Sequence, residues 1–68
     1  MVRFGYRNEN GSFTIFDCTG VEGSLETGEA TFYSYDRVAF KVGKNKDNIE
    51  KVKQAIDKIS KNEDIMFG

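Results

Sequence analysis

The side chains that could do chemistry in this chain are few. Acid–base and nucleophilic catalysis place a base beside a nucleophile in a cleft, and the commonest base at neutral pH is histidine. The chain has no histidine and one cysteine, Cys18. Asp17 beside Cys18, or Glu22 with Glu26, is a formal pair. A chain of 68 residues has no evident way to build a deep, water-excluded pocket around either. The expectation is a protein that is not an enzyme.

Metal and nucleotide chemistry fare no better. A lone cysteine forms no internal disulfide, and without histidine or a second cysteine it cannot complete a tetrahedral zinc site. With no cation or helix N-terminus near it in the sequence, Cys18 reads as an inert buried thiol. Glu22, Glu26 and Glu29 are close together but lack the D-x-[DN]-x-[DN]-G spacing of a calcium loop. Gly23 and Gly28 have the separation of P-loop glycines, yet Glu29 follows where Lys and a hydroxyl are required. Gly43-Lys44 lacks the earlier glycine. No cofactor and no metal are expected, and the glycines read as turn residues.

The remaining chemistry is recognition. Tyr33, Tyr35, Arg37 and Lys41 lie close in sequence, and in strand geometry Tyr33 and Tyr35 share a face opposite Phe32. If Phe32 points inward, the tyrosines form an aromatic and basic patch on the open side of a sheet. Tyrosine and arginine are enriched at protein-binding hot spots, which favours a protein partner oriented by the acidic Glu22 and Glu26. The same face could instead stack single-stranded bases with help from Lys41, Lys44 and Lys46, although neither the RNP pattern nor the β-α-β-β-α-β order is present. A third reading makes the tyrosines ordinary cross-strand filler.

The elements that would carry these residues follow from hydrophobic period. Val2, Phe4 and Tyr6 alternate with Arg3, Gly5 and Arg7, giving a strand over 2–7. Asn10-Gly11 marks a hairpin. A second strand over 12–18 sets Phe13 and Ile15 on one face and Phe16 and Cys18 on the other, and apolar residues on both faces suggest an inner strand. Residues 21–26 are a glycine-weakened strand or a loop. Strands over 29–34 and 37–42 follow, joined by a turn at Tyr35-Asp36 or continuous as one bent strand. Asp47 with Glu50 has the spacing of a capping box. Ile49, Val52, Ile56 and Ile59, with Ala55, then form the apolar stripe of a helix over 48–61. Ile65, Met66 and Phe67 either tuck onto the core or form an apolar tail. The expected fold is α+β: one domain over 1–68, an antiparallel β-meander of four to five strands with a C-terminal amphipathic helix packed on one face.

Charge divides along the chain. Residues 1–36 net −4 and residues 37–68 net +3, within a total of −1, so no overall field draws the chain to nucleic acid or anionic lipid. No stretch reads as a signal peptide or a membrane-spanning helix, and the expected location is cytoplasmic with no membrane partner. The functional expectation is a protein-interaction module, a regulator or inhibitor of a larger protein of the kind phages and mobile elements carry. Single-stranded nucleic-acid binding is the alternative. Self-association through a strand edge or the apolar tail also stays open.

Overall fold

The computed structural model describes residues 1–67. Six strands and one helix follow in the order β1 (Val2–Arg7), β2 (Phe13–Cys18), β3 (Gly20–Gly23), β4 (Ala30–Ser34), β5 (Arg37–Val42), α1 (Ile49–Ser60) and β6 (Ile65–Phe67). The class is α+β with antiparallel strand pairs and a helix toward the C-terminus. A single meander is not what forms. The strands divide into two three-stranded sheets, ordered β2-β1-β6 and β3-β4-β5.

Two facts of the chain cause the division. Thr19 separates β2 from β3, and the chain leaves the first sheet there to begin the second; its N–H donates to the Tyr33 carbonyl. The residues after the helix then return as β6, parallel to β1, with Phe4 opposite Ile65 and Tyr6 opposite Phe67. Strand β1 is therefore the centre of its sheet. Strand β2 is an edge, contrary to its two-sided apolar pattern. The third strand is shorter than the 21–26 expected, because residues from Ser24 to Gly28 form a closed turn: the Gly28 N–H donates to the Ser24 carbonyl and the Ser24 N–H to the Glu29 carbonyl.

The two inner faces meet to form the core. Phe4 packs its ring 4.8 Å from Phe16, 4.7 Å from Phe32 and 5.5 Å from Phe40, so it joins both sheets through one side chain. Val2, Cys18, Ala30, Phe32, Val52, Ala55 and Ile65 complete the buried set. Clustered aromatic pairs at these separations add to the stabilisation their buried area already supplies. The cluster lets six short strands share one centre.

The helix does not cross one face of one sheet. It packs against β3 of one sheet and β6 of the other, closing the open side between them. Close approach is possible because Gly23 has no side chain: a Cβ there would come 2.7 Å from Val52 Cγ1. Val52 and Ala55 are fully buried, whereas Ile56, expected on the same stripe, is at the rim with 37% exposure. Asp47 is not the cap. Asn45 takes that role, accepting from the Asp47 N–H at 3.0 Å and starting a 3-10 turn over Lys46–Asn48 ahead of the helix. The far end is a Schellman motif, with Asn62 at φ 57° and the Glu63 N–H donating to the Lys58 carbonyl. That reversal aims the chain back along β1. The Asp57–Lys61 pair closes on the helix surface at 3.1 Å.

Gly28 fixes the loops on the helix side. It sits at φ 79°, and a Cβ there would strike the Asn45 carbonyl. Only glycine permits that backbone approach, and the neighbouring Asn45 N–H donates to the Thr27 carbonyl at 2.8 Å. Among the described residues no helix is long and apolar enough to cross a membrane.

Candidate interaction surface

The outer face of the first sheet is apolar at its centre. Cross-strand register places Ile15, Gly5 and Met66 in one row, with Phe13 beside Arg7 in the next row and Asp17 beside Arg3 in the one before. Phe13, Ile15 and Met66 are 53%, 55% and 60% exposed. Gly5 is buried beneath them: a Cβ built on it would come 2.7 Å from Met66 Sδ and 3.5 Å from Ile15 Cγ1. The Met66 thioether therefore lies across the glycine toward Ile15, which makes a low apolar surface instead of three separate projections. Arg7 stands at one end. At the other, Arg3 pairs with Asp17 at 3.8 Å while its N–H donates to the Asp64 carboxylate.

The sequence reading missed this surface. It placed Phe13 and Ile15 on one face of a strand read as inner, because alternation shows which residues share a face but not whether a second layer covers it. The signal was Gly5 between two apolar neighbours, and it became legible only once β6 was known to pair with β1.

The residues the sequence nominated lie on and around the second sheet, and they are not brought together as one patch. Glu22, Thr31 and Lys41 form a polar row on its outer face; Gly20, Tyr33 and Val38 form the next, with a bulge between Phe32 and Tyr33 that skips Ala39. Strand β4 ends at Ser34, so the alternation that would place Tyr33 and Tyr35 on one face stops before Tyr35. Tyr33 is half-buried, and Tyr35 lies in the turn, exposed, with its hydroxyl donating to Met1 Sδ at 3.1 Å and its N–H donating to Thr19 Oγ1. Arg37 opens β5, and Glu26 lies in the Ser24–Gly28 turn. The backbone at Tyr35 is left-handed, φ 58°. A bulky side chain there is strained by about 1 kcal/mol relative to glycine.

The chemistry of single groups is quiet. Cys18 is fully buried, its thiol directed to the Gly20 carbonyl at 3.4 Å, and burial pushes its pKa up. A thiol so placed is protonated at neutral pH and is a poor nucleophile. Among the described residues no three His, Cys, Asp or Glu side chains converge as metal ligands. Compared with known proteins, the chain matches no family model, no curated protein and no solved structure.

Proposed function

We propose that this chain is a non-enzymatic protein-interaction module that modulates a larger partner, and that it binds through the outer face of the first sheet. The observation that carries the reading is the row Ile15–Gly5–Met66 with Phe13 beside it: three large apolar side chains held side by side in water on a small protein. Contiguous exposed apolar surface of this kind marks contact sites. Methionine suits such a face because its flexible, polarisable side chain adapts to what it meets. Arg7 has no carboxylate within ion-pair distance among the described residues. The partner is accordingly one that offers an apolar centre and an acidic group beside it. The protein-binding reading thus moves from the tyrosines of the second sheet to the first sheet, and nucleic-acid stacking loses the shared tyrosine face on which it was based.

The test is comparative capture with two variants of the full chain. Ile15→Ser with Met66→Ser should leave the thermal midpoint within a few degrees of the parent and abolish retention of a partner that the parent retains. Tyr33→Ser should keep that partner. Retention by the Ile15/Met66 variant with loss in Tyr33→Ser would return the contact to the second sheet.

A further inference from the structure

A second feature lies away from that face, at the end of the core where the two sheets and the helix meet. A recess of about 240 Å³ opens there. Its walls are Tyr6, Phe40, Val42 and Phe67, each only half-buried although packed on the core, and its floor is made by the fully buried Phe32 and Val52. Tyr6 and Phe40 stack on each other with centroids 4.1 Å apart, making one continuous aromatic wall. The chain's own side chains leave this volume unfilled.

Besides Tyr6, the polar residues lining it are Arg7, Asn48 and Lys51, and among the described residues no carboxylate lines it. Lys51 is exposed and not ion-paired among the described residues; Arg7 borders the recess through its strand, its side chain belonging to the outer face of the first sheet beside Phe13. Asn48 precedes the helix without making a side-chain capping bond, which leaves its amide able to donate. An apolar interior under a cationic, donor-bearing rim complements an amphipathic anion. Size narrows the class further. A cavity of about 150 Å³ already accepts a benzene molecule, and drug-sized ligands occupy about 300 Å³ or more. The available volume falls between them.

We propose that the recess binds a small aromatic carboxylic acid, one ring with a short acid-bearing chain. The ring lies against Tyr6, Phe40 and Phe67, and the carboxylate meets Lys51 and the Asn48 amide. Aromatic walls prefer a flat guest packed offset or edge-on. The Lys51 ammonium supplies a charge-assisted hydrogen bond that a neutral guest forgoes. This site is independent of the sheet face that carries Ile15 and Met66.

The experiment is a titration of the ¹⁵N-labelled full chain with 3-phenylpropionate, alongside its neutral counterpart 3-phenylpropan-1-ol. The expected result is saturable shifts at Tyr6, Phe40, Val42, Lys51 and Phe67, with the alcohol about fivefold weaker. Lys51→Glu should weaken the acid by a similar factor and leave the alcohol unchanged. Lys51→Gln serves as the second variant, should charge reversal disturb the fold. Shifts confined to Phe13, Ile15 and Met66 would place the guest on the sheet face and overturn the assignment. Equal affinity for acid and alcohol, indifference to both Lys51 variants, or no shifts at millimolar ligand would overturn it as well.

Discussion

The outer faces of the two sheets are built by the same period-two alternation and end with opposite character. On the first sheet the outward row is Ile15–Gly5–Met66; on the second the matching row is Glu22–Thr31–Lys41. The second row is what a solvated face requires: a glutamate, a hydroxyl and a lysine across three strands. The first row exposes apolar surface at Ile15 and Met66. Two faces of one small fold thus differ in the character of their central rows, although Val38, in the next row of the second sheet, is exposed as well.

The largest contrast should appear within β6, where adjacent residues face opposite ways. Ile65 is fully buried against the core and Met66 lies on the outer face. Ile65→Ala should cost about 2–5 kcal/mol, enough to unfold much of a marginal domain. Met66→Ala should stay within about 0.5 kcal/mol. Equal losses by chemical denaturation would mean that the outer row is structural after all, and the comparison would break.

A smaller effect, of opposite sign, is expected at the hairpin tip of the second sheet. Tyr35→Gly relieves the left-handed backbone and should stabilise the fold by up to about 1 kcal/mol, once the lost Met1 contact and the added freedom of the unfolded chain are set against it. A destabilised variant would show that the Tyr35–Met1 contact outweighs the strain, making Tyr35 a clasp on the N-terminus. The smallest effect belongs to the polar row. Lys41→Ala should change stability by no more than about 0.5 kcal/mol and leave partner capture intact. Loss of capture in that variant would give the second face a share in binding and sharpen the contrast into a division of roles.

Much of the local structure was legible in the chain. The alternation of Val2, Phe4 and Tyr6 marked β1, and the Asn8–Gly11 stretch marked a hairpin. That hairpin is closed by a turn in which the Gly11 N–H donates to the Asn8 carbonyl, with positive φ at Gly11 and not at Asn10. The helix was legible from its apolar spacing, although its cap moved from Asp47 to Asn45, since a short 3-10 turn satisfied the first donors earlier. Of the candidate sites, the absence of histidine and of a second cysteine was plain, whereas neither the apolar face nor the aromatic recess was.

The sequence by itself determined which residues share a face, where the chain turns, and that it holds no histidine and a single cysteine, because period, glycine placement and residue type are local properties. Tertiary structure alone decided which of two equivalent faces is covered. Pairing of β6 with β1 across some 60 residues made β1 the centre of its sheet and set Met66 beside Ile15 over Gly5. It also brought Tyr6 and Phe67 from opposite ends of the chain to the recess that Phe40 and Lys51 complete. Burial is a property of packing between distant segments, and no local pattern contains it.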